Sequence, residues 1–366
     1  MAKKNEKKWL VPAIIVAVLI IVIGGLIWSQ SKPKGSGKTI KIGLITDIGG
    51  AASYYGGSTA IGASLAQKDL AKEGYSVEII YEDSQLDPAK ALTSAKKLVE
   101  IDHVDGIYME LNPLVYSVTP YIKSLGEDKV PLVVFGSAAN SPLKELPYAF
   151  KTYFNYTKAC SQLAQVYKDQ GVKKIGMLKV NMEFGDVCNE AVKTVYGDNA
   201  ITEAYDTGEK DFNTQILKLK QAGVGAIINP SWESDNLTAL KGMKENNFVV
   251  PYGTAFDSVG VDSQKAYPDM LSDITVFGLK DIDTDVLAKL KTEAGSKDLS
   301  TPYAGAQAYL HIKQMAKSID GSNGDIKTEF AKMKKTPAES LLGFGGFDEN
   351  RESIFKLEFG PVKAIQ

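Results

Sequence analysis

The residues with the chemistry for catalysis are few, and their spacing does not assemble them. Histidine occurs only at positions 103 and 311. His103 stands where a helical pattern gives way to a strand and His311 lies inside a helical stretch, so neither falls in a loop that could border a cleft, and a Ser-His-Asp arrangement is not supplied. Cys160 in YTKACSQLAQVY and Cys188 in FGDVCNEAVKTVY have no nearby histidine to activate a thiol. No HExxH, no cysteine pairs at zinc spacing, no Asp-rich calcium loop and no GxxxxGK[ST] occur. GFGGF at 343–347 precedes a turn and a strand rather than a helix, so it reads as a plain turn and not a phosphate cradle. The adjacent carboxylates Glu82 and Asp83 follow a strand and point to opposite faces, which suits solvated or structural roles. No catalytic residue, metal site or cofactor is expected, and the chain is not read as an enzyme.

What remains is a set of loops suited to holding a molecule rather than transforming it. KIGLIT, VEIIYED, VDGIYM and VPLVVF are apolar runs rich in β-branched residues, and the last ends in GSAANSP at 136–142. In open parallel sheets, ligands collect at the carboxyl ends of strands, where loops cross into the following helices. The loops in that position are DIGGAASYYGGS, ELNPLVYS, GSAANSP, VNMEFGD, NPSWESD and GTAFDS. Together they offer backbone amides, Asn and Ser groups, the rings of Tyr55, Phe184 and Trp232, and the carboxylate of Asp257. Each has a plainer reading beside it. Tyr55 and Phe184 also suit lobe packing, Asp257 suits the cap of the next helix, and Asn140 suits a turn before Pro142.

The elements that would position these loops repeat in two series. Between the first strands lie STAIGASLAQKDLAKEG and PAKALTSAKKLVE, and in the second of these Leu92, Ala95, Leu98 and Val99 fall on one face. After the junction LPYAFKTYFNYT come a helix through Cys160, the strand KKIGMLKVN, a helix from Phe184, the strand ITEAYDTG, and DFNTQILKLKQAG with Phe212, Ile216 and Leu219 as its buried stripe. GAIINPS, VVPYGTAF and DITVFGL add strands; DVLAKLKTEAG and TPYAGAQAYLHIKQMAKSI add helices; FGGFDENRESIFKLEF adds two short strands about a polar turn. The fold class is α/β: two Rossmann-like lobes with parallel sheets. At 366 residues, 44% hydrophobic, two cores are expected. A net charge of -2 gives no footprint for nucleic acid.

The first residues stand apart. A lysine-rich stretch at 1–8, read as a cytosolic N-terminus, precedes the uncharged run WLVPAIIVAVLIIVIGGLIW at 9–28, long enough to span a bilayer. Lysines on one side and Trp9 and Trp28 at its ends favour an uncleaved N-inside anchor over a cleaved signal peptide. Residues 29–38 then form a flexible linker, and the rest lies outside the cell. That location permits a disulfide between Cys160 and Cys188; a pair of buried free thiols is the alternative.

From about Lys41 to Gly360 the chain resembles the type I periplasmic-binding-fold solute-binding proteins, especially the branched-chain amino acid-binding group that serves ABC importers. TGEKDFNTQILKLKQAGVGAIIN carries the resemblance most specifically, with KIGLITDIGGAASYYGGSTAIGA, YEDSQLDPAKALTSAKKLV, VPLVVFGSAANSP, MEFGD and FGGFDENRE in support. It implies a ligand head group gripped at Ala138 or Ala139 and Asn140, with Ser141 next. Asn140 stands where the family usually has threonine, and Asn112-Pro113 where it has a serine pair. Asp257 matches the acid that meets an ammonium, two residues late. Tyr55, Phe184 and Tyr303 match family aromatics; Ser231-Trp232 stands at a common tyrosine and Tyr156 at a position often acidic.

The resemblance further implies hinge closure through three crossings between lobe one, 39–148 with 279–358, and lobe two, 149–278 with 359–366. A monomeric ectodomain handing an amino acid or related amide to membrane permease subunits is the expected function. The ectodomain of a sensory receptor complex is the second reading, and an extracellular hydrolase a remote third.

Overall fold

The computed structural model describes residues 35–50, 52–126, 131–138, 140–255, 258–259, 268–271, 274–279, 282–322, 325–334, 344–355 and 357–361. The expected anchor at 9–28 lies outside these residues. Among the described residues no helix is long and apolar enough to cross a membrane.

The first sheet contains β1 (Thr39–Thr46), β2 (Ser76–Asp83), β3 (Gly106–Glu110), β4 (Leu132–Gly136) and β5 (Ala149–Lys151), all parallel, in the order β2-β1-β3-β4-β5. Its connections carry α1 (Ser53–Lys72), α2 (Pro88–Glu100), α3 (Asn112–Ser124) and α4 (Ser141–Glu145). Every residue of β3 and β4 is buried, as expected of parallel strands covered on both faces, which is why they read as unbroken apolar runs. Asp87 starts α2 by accepting from the amides of Ala89 at 2.7 Å and Lys90 at 3.3 Å, with Pro88 preset at the first position. The buried face of α2 is Ala91, Ser94, Ala95 and Leu98, one step round from the expected stripe, and Leu92 and Val99 sit half-buried at its margin.

The second sheet is ordered β13 (Leu357–Pro361), β10 (Ile274–Leu279), β9 (Tyr252–Ala255), β8 (Ala226–Ile228), β6 (Ile175–Val180), β7 (Ala200–Tyr205). Along the chain come α5 (Tyr156–Asp169), β6 (Ile175–Val180), α6 (Glu183–Tyr196), β7 (Ala200–Tyr205), α7 (Asn213–Ala222), β8 (Ala226–Ile228), α8 (Glu233–Glu245), β9 (Tyr252–Ala255), α9 (Pro268–Leu271) and β10 (Ile274–Leu279). Phe212, Ile216 and Leu219 are buried as the period of α7 predicts. Cys160 on α5 and Cys188 on α6 form a disulfide, their Cα atoms 5.3 Å apart.

The chain then returns to the first sheet through α10 (Thr284–Ala294), α11 (Pro302–Ile319) and α12 (Ile326–Lys334). On α11, Gly305 lets the backbones of α1 and α11 touch: a Cβ at Gly62 would lie 1.9 Å from the Gly305 oxygen. An ion pair and a hydrogen bond reinforce this layer, with Lys68 2.7 Å from Glu293, and Tyr309 donating to Asp69 at 3.0 Å. The hairpin β11 (Phe344–Phe347) and β12 (Ser353–Phe355) follows, and β13 (Leu357–Pro361) joins β10 antiparallel.

The sheets divide the chain a few residues away from the expected seams. β5 pairs with β4, so 149–151 belongs to the first sheet and not the second lobe. A lysine inside the junction hid this strand, because Lys151 is buried by polar partners rather than by exclusion from the core. β13 starts at 357 rather than 359. The end of the expected flexible linker is also tied down. The Ser36 amide donates to Asp320 at 2.8 Å, and Lys38 pairs with Asp105 at 2.7 Å.

Candidate functional site

The carboxyl ends of the two sheets face each other across a cleft with a cavity of about 50 Å³, room for a few water molecules. From the first sheet it is lined by Tyr54 and Tyr55 at the start of α1, Leu111 and Asn112 after β3, and Gly136, Ser137 and Ala138 at the end of β4. Tyr153 and Tyr156 line it from the crossing into α5; Phe184, Ser231, Trp232 and Ser258 line it from the second lobe. None of these is a charged residue.

Local chemistry fixes the first-lobe wall. Asp47 is fully buried and shapes the loop before α1, accepting from the Gly50 amide at 2.5 Å and the Ala52 amide at 2.6 Å. Gly136 packs closely on the polar groups beneath it: a Cβ there would lie 3.0 Å from the Tyr108 hydroxyl and 3.4 Å from Glu110 Oε1. Leu111 holds φ at 66°, a conformation costly for a branched side chain and stored at this wall. Asn112 Oδ1 accepts from the Ala138 amide at 3.0 Å, which joins the β3 and β4 loops. Its buried Nδ2 has no partner among the described residues.

The second-lobe wall is a row of rings. Trp232 meets Phe184 edge-on at 5.8 Å, Phe184 meets Tyr156 at 5.6 Å, and Tyr156 lies parallel to Tyr153 at 6.0 Å. Such geometries favour rigid packing over independent motion. Beneath Ser231 and Trp232 runs a neutral hydrogen-bond chain. Tyr205 donates to Asn229 at 2.7 Å, Asn229 to the Tyr252 hydroxyl at 2.8 Å, and Tyr252 to Asn236 at 2.8 Å. Asn236 then donates to the carbonyls of Ser231 at 2.9 Å and Trp232 at 3.0 Å, fixing the loop.

Of the sequence-predicted residues, Tyr55, Asn112, Ala138, Tyr156, Phe184 and Trp232 line the cavity. Ala139 and Asp257 lie outside the described residues. Tyr303 stands behind the wall, 6.5 Å from Tyr153, its hydroxyl accepting from Gln307 at 2.5 Å. Asn140 and Ser141 are turned to other partners instead of the cavity. Their amides donate to Glu183 Oε1 at 3.2 Å each, and Lys151 donates to Asn140 Oδ1. The residues missed are Tyr54, Leu111, Gly136, Ser137, Tyr153, Ser258 and Glu183. Tyr54 and Tyr153 carried a signal, being aromatic neighbours of chosen positions, whereas Glu183 carried none, because its donors are distant in sequence.

Two ionisable groups sit under the first-lobe wall. Burial pushes the Glu110 carboxyl up to about 8, against hydrogen bonds from Thr59, Tyr108 and Thr46. Burial likewise pushes the Lys151 amine down to about 8, opposed by Glu352 and Asp348. The histidines are placed as the sequence indicates. His311 is buried against Phe344, with burial lowering it to about 4, and His103 lies at the helix-to-strand junction, its Nδ1 3.2 Å from the Val99 carbonyl. Among the described residues no group of three or more His, Cys, Asp or Glu could hold a metal ion.

Comparison with known proteins agrees with this architecture. A family profile described as periplasmic binding protein matches residues 39–354. The chain belongs to the periplasmic binding protein family. This binding protein is 26% identical over 333 residues to the leucine-, isoleucine-, valine-, threonine- and alanine-binding protein of Pseudomonas aeruginosa, covering 85% of this chain and 86% of the other. Its fold matches an R. palustris ABC transporter solute-binding protein in complex with 4-hydroxybenzoate, with a TM-score of 0.79 at 20% identity, over 88% of this chain and 93% of that one. It also matches the branched-chain amino acid transporter substrate-binding protein of Streptococcus pneumoniae in complex with isoleucine, with a TM-score of 0.74 at 18% identity, over 88% and 95%. The fold is therefore that of the type I periplasmic binding proteins, and these relatives are solute-binding proteins rather than enzymes.

Proposed function

We propose that this protein captures a small solute in the cleft by hinge closure and delivers it to an ABC importer, with residues 9–28 anchoring it to the membrane and the lobes outside. An amino acid of the branched-chain or hydrophobic type, or a related amide, is the favoured ligand. The observation that carries this is the pairing, in one cavity, of an aromatic wall with Asn112, whose Nδ2 has no partner among the described residues. Rings from Tyr156, Phe184 and Trp232 would enclose apolar surface, and the Asn112 amide would donate to a carboxylate or carbonyl oxygen. Asp257, next to the lining residue Ser258, is the proposed partner of an ammonium. Ligand contact with both walls would stabilise the closed form, which a transporter could read as loaded.

The same ring row favours a second reading, an aromatic acid such as the one held by the R. palustris relative. Melting temperatures of the full chain with amino acids, their amides and hydroxybenzoates separate the two. A ligand present at a hundred times its dissociation constant stabilises by about 2.7 kcal/mol. Asn112→Ala and Trp232→Ala should each weaken the winning ligand by roughly tenfold or more, and Asn112→Ala should also lower the unliganded melting temperature, because the buried Ala138 amide loses its acceptor. No shift with any of these solutes overturns the proposal.

A further inference from the structure

The loop that ends β4 is held from the opposite lobe as well as from its own. The Glu183 carboxylate, at the first position of α6, accepts from the amides of Asn140 and Ser141 at 3.2 Å each, from the Ser141 hydroxyl at 3.5 Å, and from the Tyr116 hydroxyl on α3. The donors all belong to the first lobe and the acceptor to the second. On its other side the loop is tied to the crossings. Lys151 donates to Asn140 Oδ1 and lies 3.9 Å from Glu352, which also accepts from Asn155, the cap of α5, at 2.5 Å. Asn140 is therefore the point where the lobe-to-lobe contact and the hinge meet.

We infer that Glu183 is an interlobe latch, anchored through Asn140 and Lys151, that favours the closed cleft before any ligand arrives. The inference rests on the hinge-closure reading but not on which solute is bound. One carboxylate gathers donors from two helices and a loop of the facing lobe, and parting the lobes must break all of these contacts together. A charged acceptor makes each bond stronger than a neutral one, and water replaces only part of it on opening. Raising the closed fraction also raises apparent ligand affinity by the same factor, since affinity scales with the population competent to bind. The latch further explains why Asn140 and Ser141 face away from the cavity: their amides are already spent on the protein's own carboxylate.

The test needs no ligand. Lys90, exposed in the first turn of α2, and Lys210, exposed after β7, follow the edge strands β2 and β7, at the opposite ends of the two sheets from β5 and β13. The native cysteines are bonded to each other, so Lys90→Cys and Lys210→Cys supply the only free thiols for spin labels. Distances between these labels on the full chain, measured by electron double resonance without ligand, report opening directly. Glu183→Ala should cut the ratio of short to long distances on the order of tenfold. Glu183→Gln, which keeps size and one acceptor, and Tyr116→Phe should each give a smaller cut in the same direction. Distance distributions in Glu183→Gln and Tyr116→Phe that match the wild type overturn the latch, even if Glu183→Ala fails to fold. A latch that holds while the solute panel fails would leave only the ligand reading wrong, and the reverse result would leave only the latch wrong.

Discussion

Under each wall of the cleft lies a buried polar knot, and the two knots differ in kind. Below the first wall, the carboxyl of Glu110 accepts from Thr46 at 3.4 Å, Tyr108 at 3.3 Å and Thr59. Below the second, Tyr205, Asn229, Tyr252 and Asn236 form a chain with no ionisable carboxyl at its centre. The first ties the carboxyl end of β3 to β1 and α1; the second links the ends of β7 and β8 and the start of β9 to α8, and through Asn236 it holds the loop at Ser231 and Trp232. The first is built on a group whose proton depends on pH, the second on amides and phenols that keep theirs through the neutral range, because burial raises Tyr205 and Tyr252 above their ordinary values. The titrating carboxyl is therefore at the centre of the first knot, whereas in the second lobe the buried carboxylate, Asp235, stands beside the chain and accepts from Ser231 at 2.7 Å.

The largest expected effect tests that cost. An ordinary glutamate value of 4.5 becomes about 8 for Glu110 in the folded protein. Below pH 4.5 both states hold the proton; between 4.5 and about 8 the unfolded chain releases it while the folded protein retains it, so stability falls as pH rises through that window. At pH 7 the accumulated loss is about 3 kcal/mol. Glu110→Gln keeps the shape and removes the titration. Urea unfolding at pH 7 should show the variant more stable by up to about 3 kcal/mol, with the advantage vanishing near pH 4. An unchanged pH slope would remove Glu110 from the comparison.

The second lobe should answer in the opposite way. Asn229→Ala leaves the Tyr205 hydroxyl without its acceptor and the Tyr252 hydroxyl without a donor. The expected loss is about 2 kcal/mol, constant from pH 4.5 to pH 8. A loss that varied strongly with pH in that range would show that this knot is not electrically neutral after all.

These knots also mark the limit of what could be read from the chain. The parallel sheets were legible because strands buried on both faces are continuous apolar runs, as in VPLVVF. The cleft was legible too, since loops at the carboxyl ends of strands collect ligand groups, and Tyr55, Phe184 and Trp232 stand in such loops. Direction within a loop was not. Asn140 and its neighbour Ala138 are two residues apart, yet one lines the cavity and the other meets Glu183, which is 43 residues away. Glu110 reads as the polar end of a strand, and only the approach of Thr59 from α1, 51 residues distant, makes it a buried acceptor. Lys151 concealed β5 for the same reason, since its burial depends on Asn140 and Glu352. Local pattern sets the elements, while long-range partners decide which polar residues are hidden.

The smallest effect sharpens the first comparison most. Tyr108 is fully buried, and its hydroxyl donates to Glu110 Oε1 at 3.3 Å, a long bond. That bond favours the charged carboxylate and partly offsets the rise caused by burial. Tyr108→Phe removes it, so the loss at pH 4, where Glu110 is protonated in both states, should be about 1 kcal/mol. The distinctive outcome lies in the pH profile. With one stabiliser of the charged form gone, the folded protein holds its proton to a higher pH, so the fall in stability that begins at 4.5 continues further before levelling off. Urea midpoints taken from pH 4 to pH 9 would show the plateau displaced upward relative to the wild type. A plateau at the same pH would mean that Thr59 and Thr46, not Tyr108, set how Glu110 responds to charge.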